Sequence, residues 1–320
     1  MTTKPSANGT GFDRRAIPAA AHESVWHAPD GYPIRRIDWP ELAQEPEQAC
    51  RGSLLFLPGR ADFPEKYLET LDGWSRAGWL VTSTDWRGQG CSGRLGTDSR
   101  TGHIDDFGLW IDDLCAFWNE WKSTTAPPHV IVGHSMGGHL VLRALAEKKI
   151  APDAAVLIAP MLGLIPRLLP MPIAHILVRL MARIGNPARP AWRGSEKPGK
   201  LPEDRFDLLT HDADRYADEL WWRRNRTELS MAAPSWGWIE RGIASMRLLR
   251  RPGVLEAVDR PVLFVATRHD GLVDPHAIAK AAARMKQAAQ DQRHAEHNEN
   301  ENQASQAVDV LCRFLVQQGP

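Results

Sequence analysis

A single serine stands at the centre of a short glycine-containing run, Gly133-His134-Ser135-Met136-Gly137. The preceding residues, 128–132, are apolar and partly β-branched, which is typical of a buried strand. The following residues, 138–145, have the apolar spacing of an amphipathic helix. A serine between such a strand and helix lies at a sharp turn near the helix N-terminus, where the next backbone N–H can face an oxyanion. The pattern therefore predicts a serine nucleophile.

The segments on either side of this serine predict the scaffold that positions it. Two strands flank the turn at Asp30-Gly31, and the later elements alternate between strand and helix. Strands are predicted at 52–57, 79–84, 128–132, 154–158 and 261–266, and helices at 64–77, 104–122, 275–286 and 303–316. This alternation predicts an α/β fold with a doubly wound, mostly parallel sheet and right-handed crossovers.

The alternation stops between residues 159 and 254, where no strand pattern is present and prolines separate helical segments. We therefore predict a helical cap inserted at 159–254 into a core made of 23–158 and 255–320, after a flexible leader at 1–22. The apolar start of the cap, 161–180, is expected either to offer an acyl-binding or membrane-contacting surface or to pack within the cap.

Composition argues against several classes of function. The 39 basic and 39 acidic residues give no net charge, so nothing favours a nucleic-acid partner. The four cysteines include no C-x-x-C pair and are expected to be reduced thiols. Residues 1–16 lack the apolar segment of a signal peptide, and no apolar stretch is long enough to span a bilayer. We expect a cytoplasmic protein that needs no metal and no cofactor.

Several motifs occur along the chain in an order shared by one group of enzymes. They are Leu57-Pro58-Gly59-Arg60-Ala61-Asp62-Phe63, Asp85-Trp86-Arg87-Gly88-Gln89-Gly90-Cys91-Ser92-Gly93, Gly102-His103-Ile104-Asp105-Asp106-Phe107, the serine run, and Arg268-His269-Asp270-Gly271-Leu272-Val273. In these motifs the sequence resembles the α/β-hydrolase superfamily, and within it the bacterial lysophospholipase and monoacylglycerol-lipase group of serine hydrolases. The resemblance runs from about residue 23 to the C-terminus and does not specify a substrate.

The resemblance implies a catalytic triad in the order serine, acid, histidine. Ser135 is then the nucleophile, and Asp270, just after the strand at 261–266, is the matching acid. Asp274 is a less favoured alternative. The candidate bases downstream are His276, His294 and His297. His294 lies five residues before Glu299, a spacing similar to the family's approach to its last helix, so we predict His294 as the base.

His297 is the second choice for the base. The chain departs from the family pattern in the segment just before these two histidines. Where the family has a final apolar strand, residues 286–293 are polar and lack β propensity. The edge strand is either degenerate or altered. The resemblance further implies that the backbone N–H groups of Arg60 and Met136 form the oxyanion hole. It also implies that Asp85 and Arg87, as a buried charge pair, fix the neighbouring loop.

Three hypotheses about function remain open from the sequence. The first is a serine carboxylic-ester hydrolase that acts on a lysophospholipid or a monoacylglycerol through an acyl-enzyme. The second keeps the same triad but cleaves peptides or amides. The third is a catalytically impaired relative that binds an apolar ligand. The polar segment before His294 is the observation that supports this hypothesis. The expected partner is a small lipid ester. Contact with a membrane surface stays open, and the sequence does not indicate an oligomeric state.

Overall fold

The computed structural model describes residues 12–40, 50–163, 171–193, 210, 212–285 and 288–291. Within them, eight strands form one sheet in the order β1-β2-β4-β3-β5-β6-β7-β8. The strands are β1 (His22–His27), β2 (Pro33–Trp39), β3 (Gly52–Leu57), β4 (Trp79–Thr84), β5 (His129–His134), β6 (Ala154–Ile158), β7 (Val262–Val265) and β8 (Ala288–Asp291). Only β2 runs antiparallel to its neighbours β1 and β4, and all the other pairings are parallel. The predicted doubly wound, mostly parallel α/β sheet is confirmed.

Helices connect the parallel strands. They are α1 (Leu68–Arg76), α2 (Phe107–Thr124), α3 (Met136–Ala146), α4 (Met171–Arg183), α5 (Ala213–Asn225), α6 (Trp236–Leu249) and α7 (Pro275–Arg284), with short 3-10 turns at Pro64–Tyr67, Thr227–Leu229 and Leu255–Ala257. The α7 helix begins with Asp274 as its N-cap and Pro275 at its first position. Proline is favoured at this position because a backbone N–H in the first turn has no partner within the helix, so its absence costs nothing.

Two apolar clusters cover the two faces of the sheet. Alternate residues of the central strands point to opposite faces, so Leu55 and Ile131 join one cluster while Phe56 and Val130 join the other. The strands β3 and β5 are buried on both faces of the sheet, which explains their continuous apolar sequences. The first cluster includes the tryptophans of α2, whose large side chains fill the space between that helix and the sheet.

Helices α4, α5 and α6 follow β6 before the sheet resumes at β7. Trp238, Ile243 and Met246 of α6 lie in the first apolar cluster, so α6 packs as the other core helices do. The exact bounds of the predicted cap at 159–254 therefore stay a prediction. Among the described residues, no helix is both long and apolar enough to cross a membrane.

The structure describes a strand in the segment before the predicted base. Ala288–Asp291 forms β8, which pairs in parallel with β7, so an edge strand exists over the described residues of this segment. Of the two alternatives, the degenerate edge strand is the one observed. His294, His297 and the predicted helix at 303–316 lie outside the described residues.

A buried histidine lies on α3, one turn after the nucleophile candidate. His139 is 0% exposed, and its Nε2 is 2.7 Å from the Ser245 hydroxyl on α6. Arg143 also donates to that hydroxyl, at 3.1 Å. Burial, and then the positive charge of Arg143, lower the pKa of His139 to about 3. The folded protein therefore holds this ring neutral over a pH range in which the unfolded chain would protonate it.

Replacing His139 is expected to flatten the pH dependence of stability. Because its pKa is lower in the folded state, its contribution is complete above pH 6.5 and is lost as the pH falls towards 3. At pH 5 the loss is about 2 kcal/mol, from 1.4 kcal/mol per pH unit below the unfolded pKa. The His139→Gln variant should lose about 2 kcal/mol less than wild type between pH 7.5 and 5 in urea unfolding. Ser245→Ala, which keeps the ring, should retain the wild-type slope, and parallel profiles for all three proteins would contradict the assignment.

Candidate active site

Ser135 occupies a strained turn between β5 and α3. Its φ is +51° and its ψ is −112°, which is rare for a residue with a side chain. The backbone is held there by three hydrogen bonds. The Ser135 N–H donates to the Ile158 carbonyl (2.8 Å), and the Ser135 carbonyl accepts from the N–H groups of His139 (3.0 Å) and Met161 (2.9 Å). Surrounding structure therefore imposes the turn, as is common at functional sites.

The glycines two residues before and after Ser135 make this turn possible. A Cβ on Gly133 would lie 2.7 Å from the Gly138 nitrogen, and a Cβ on Gly137 would lie 2.6 Å from the Pro58 carbonyl oxygen. Real side chains do not approach backbone this closely, so both positions need glycine. The two glycines therefore permit the close approach of α3 to β5 and to the segment that follows β3.

Asp270 follows β7 with its carboxylate already oriented. Its Oδ1 accepts from the N–H groups of Leu272 (2.7 Å) and Val273 (2.9 Å). These bonds fix one oxygen and leave Oδ2 as the oxygen that a histidine base would use. The alternative acid, Asp274, instead caps α7 by accepting from the His276 N–H at 2.9 Å.

Ser135 and Asp270 follow strands that are two places apart in the sheet, with β6 between them. Neighbouring strands are about 4.8 Å apart, so the two strand ends are separated by about 10 Å, a gap that an imidazole between two side chains can bridge. Both residues follow the carboxyl ends of parallel strands, the edge where open α/β sheets bind ligands. The position of His294 or His297 in this gap stays a prediction.

The predicted oxyanion donors lie on two adjacent segments. We call residues 58–62 the oxyanion loop and residues 133–137 the elbow. The loop follows β3 and the elbow ends β5, and these strands pair with Leu57 opposite Gly133. A Cβ on Gly59 would be 3.2 Å from the Ser135 Cβ, so the two segments are in contact. Met136 begins α3, whose N-terminus favours negative charge.

Arg60 is anchored through its side chain as well as its position in the loop. Its Nη2 donates to the Ala232 carbonyl at 2.9 Å, and its guanidinium lies 5.1 Å from the centre of the Trp238 ring. The side chain thus connects the oxyanion loop to the segment just before α6 and to that helix. The role of the Arg60 and Met136 N–H groups as oxyanion donors stays a prediction.

The structure brings together a polar cluster beside the elbow that the sequence did not reveal. Asp62 Oδ2 accepts from the Tyr67 hydroxyl at 2.6 Å and lies 3.2 Å from His134 Nδ1, and Lys66 Nζ is 2.9 Å from Oδ1. Burial would raise the pKa of Asp62, but the charge of Lys66 and the contacts with His134 and Tyr67 outweigh it and hold the pKa far below its usual range. Both Asp62 and His134 belong to recognisable motifs, yet 72 residues separate them in sequence.

Asp85 and Arg87 both hold the loop after β4, but they do not form the expected pair with each other, because each binds a different residue. Asp85 binds the guanidinium of Arg35 through two hydrogen bonds of 2.9 and 3.0 Å, and Arg87 binds Asp113 through two of 2.7 and 2.8 Å. Arg87 also pairs with Asp30. The two buried pairs hold the loop rigid beside the oxyanion loop.

One family model and several curated relatives match this chain. The family described as serine aminopeptidase, S33, matches residues 48–299. Lysophospholipase L2 of Escherichia coli (strain K12) is 30% identical over 201 residues, which cover 59% of this chain and 56% of that protein. The match thus spans little more than half the length of this relative. Probable lysophospholipase L2 of Haemophilus influenzae is 25% identical over 243 residues, covering 75% and 74% of the two chains.

Solved structures share the fold at lower identity. A variant of monoglyceride lipase from Saccharomyces cerevisiae, in complex with a substrate analog, has a TM-score of 0.71 at 16% identity, with 97% of this chain and 100% of that chain covered. Monoacylglycerol lipase from Paleococcus ferrophilus has a TM-score of 0.64 at 18% identity, with 89% and 99% covered. The strand order, the strained serine turn and the family match lead to one conclusion: the chain belongs to the serine aminopeptidase, S33, family of the α/β-hydrolase superfamily.

Proposed function

We propose that this protein is a serine carboxylic-ester hydrolase that cleaves the acyl ester of a lysophospholipid or a monoacylglycerol. The observation that carries the proposal is Ser135 in its strained turn, in contact with the oxyanion loop. The substrate class is supported by relatives named lysophospholipase L2 and by structural neighbours named monoglyceride or monoacylglycerol lipase.

In the proposed reaction, the Ser135 hydroxyl attacks the ester carbonyl carbon while His294 takes its proton. The negative charge on the carbonyl oxygen is stabilised by the N–H groups of Arg60 and Met136. The alcohol leaves with the proton from His294, and the acyl group stays on Ser135. Water, activated by the same histidine, then releases the fatty acid. Asp270 orients the imidazole, and His297 is the alternative base.

The outer face of α4 supports contact with a lipid surface. Its apolar side chains are exposed to solvent, with Ile176 reaching 71%, and they recur at helical spacing. They are Ile173, Ile176, Leu177 and Leu180. Arg179 and Arg183 are also exposed on this helix, which has no acidic residue. An exposed apolar face beside basic side chains is typical of helices that lie on anionic lipid surfaces, so we propose that α4 contacts the micelle or membrane that holds the substrate.

Two other functions remain in competition with ester hydrolysis. The family description names an aminopeptidase, which supports peptide or amide cleavage by the same triad. The polar sequence at 286–293, just before the predicted base, supports an impaired relative that only binds an apolar ligand. The peptidase would release an amine and the impaired relative would release no product, so the products formed distinguish both from an ester hydrolase.

The proposed function is tested by presenting three substrates to the purified protein. They are palmitoyl lysophosphatidylcholine, monooleoylglycerol and an aminoacyl p-nitroanilide. We expect fatty-acid release from one of the lipids with a kcat/KM at least about 100-fold above amine release, because a site built for one reacting group discriminates by that order. Amine release alone would favour the peptidase, and ligand binding without any turnover would favour the impaired relative.

The same assay tests the lipid surface with a variant of α4. Ile176→Ser with Leu177→Ser removes two exposed apolar side chains from the helix. This variant should lose activity on micellar lysophospholipid but keep wild-type activity on a monomeric short-chain ester, because the triad is untouched. Equal activity of variant and wild type on both substrates would contradict the role of α4.

A further inference from the structure

Gln89 joins the oxyanion loop to the elbow. This side chain is 3% exposed, and its Oε1 accepts a hydrogen bond from the Ala61 N–H at 2.8 Å. Its Nε2 donates to the Met136 sulfur at 3.6 Å. One buried amide group therefore contacts the residue that follows Arg60 and the residue that follows Ser135.

Asp62 makes a second connection between the two segments, through the residues that precede Arg60 and Ser135. Its Oδ2 accepts from the Gly59 N–H at 3.3 Å and lies 3.2 Å from His134 Nδ1. Gly59 precedes Arg60, and His134 precedes Ser135. The two connections thus end on both sides of the predicted oxyanion donor in the loop and on both sides of the nucleophile in the elbow.

We propose that Gln89 and Asp62 are positioning residues that together set the separation between the two oxyanion donors, the N–H groups of Arg60 and Met136. The inference rests on the proposed function and assigns these two side chains a task in it. Donors of this kind stabilise a transition state only when they are held close to the position of the developing charge, within about 0.5 Å.

Both segments need such support because both contain strained backbone. Ala61 has a φ of +55° and Ser135 a φ of +51°, conformations that residues with side chains rarely adopt. Strained positions persist only where their surroundings determine them. At Ala61, the surroundings are Gln89 on the N–H and Arg223 of α5, which donates to the carbonyl at 2.8 Å.

Gln89 is itself held in place, as a positioning residue must be. Its N–H donates to the Trp86 carbonyl at 2.9 Å, and its carbonyl accepts from the Ser92 N–H at 2.8 Å. The Trp86 indole also donates to the Pro58 carbonyl, at 2.8 Å, and so connects the same turn to the start of the oxyanion loop. Asp62 is fixed in the same way by Tyr67 and Lys66.

The test compares Gln89→Met, which keeps the side-chain length but removes both polar contacts, with the wild-type enzyme. We expect kcat to fall by about 10- to 100-fold, up to the effect of losing one oxyanion donor. KM should stay within about threefold, because the contact acts in the transition state and not on bound substrate. The affinity for an alkylboronic acid, which forms a tetrahedral adduct with the serine, should fall by the same factor as kcat.

Two further variants separate positioning from simple stabilisation. Asp62→Asn should also lower kcat and boronic-acid affinity, because it removes the charge that holds His134 and Lys66. Asp72→Asn is the matched control. Asp72 is also buried, at 5% exposure, but it binds Trp39 and Arg76, which belong to neither segment. The Asp72→Asn variant should lower the melting temperature and leave kcat unchanged.

The outcomes distinguish the inference from the proposed function. If wild type hydrolyses the esters but Gln89→Met keeps its kcat and boronic-acid affinity within twofold, the inference is wrong and the function stands. Met136→Leu removes the sulfur and keeps an apolar side chain of similar volume, so it should fold even if Gln89→Met does not. A loss of kcat in Met136→Leu that is smaller than the loss in Gln89→Met supports the inference. An unchanged kcat contradicts the connection through Gln89. A wild-type protein without hydrolysis or fluorophosphonate labelling would overturn the function and the inference together.

Discussion

Ser135→Ala is expected to abolish ester hydrolysis and to leave the fold intact. Loss of a serine nucleophile removes the acyl-enzyme route and costs about 10⁴-fold or more in kcat. The fold should survive because the turn is held by the backbone N–H and carbonyl of Ser135, which the substitution keeps. Fatty-acid release measures the loss, and a fluorophosphonate probe, mapped by mass spectrometry, should label Ser135 in wild type and no serine in the variant.

Ser53→Ala is the matched control for this substitution. The Ser53 hydroxyl is buried at the start of β3 and donates to the Ala126 carbonyl at 2.7 Å. Its loss should lower the free energy of unfolding by about 1 kcal/mol and keep both activity and labelling. A label on another serine, or comparable hydrolysis by Ser135→Ala, would contradict the assignment of the nucleophile.

Asp270→Asn is expected to lower kcat by about 10³- to 10⁴-fold without unfolding the protein. An amide oxygen at this position can still accept from the Leu272 and Val273 N–H groups, so the loop keeps its shape. The amide no longer stabilises the imidazolium that forms during attack, and it favours the wrong tautomer of the base, which explains an effect of this size. Steady-state kinetics on the preferred ester measure it, with thermal unfolding as the check of fold.

Asp274→Asn is the control for this second prediction. Asparagine caps helices as well as aspartate does, so α7 should remain intact and activity should stay near wild type. In the fluorophosphonate labelling experiment, His294→Ala should lose the label on Ser135, and His297→Ala should retain it. Inactivation by Asp274→Asn instead of Asp270→Asn would show that the acid has been misassigned.

Much of the core and one part of the site followed from the sequence because their signals are local. Continuous apolar residues predicted β3 and β5, and strict spacing of glycines around Ser135 predicted the turn between β5 and α3. These features depend on residues within a few positions of one another. The edge strand β8 was harder to predict, because its polar residues pair with β7 through backbone groups that carry no sequence signal.

The contacts that hold the site depend on residues far apart in the chain. Asp85 binds Arg35 and not Arg87, and Asp62 meets His134 across 72 residues. Gln89 and Met136 are 47 residues apart and lie on different turns. Sequence alone determined that a serine would stand at a strand-to-helix turn, because backbone propensity and steric limits act locally. Only the tertiary structure decided which buried carboxylates and amides support it, because such groups must find whichever partners the packed chain brings within hydrogen-bond distance.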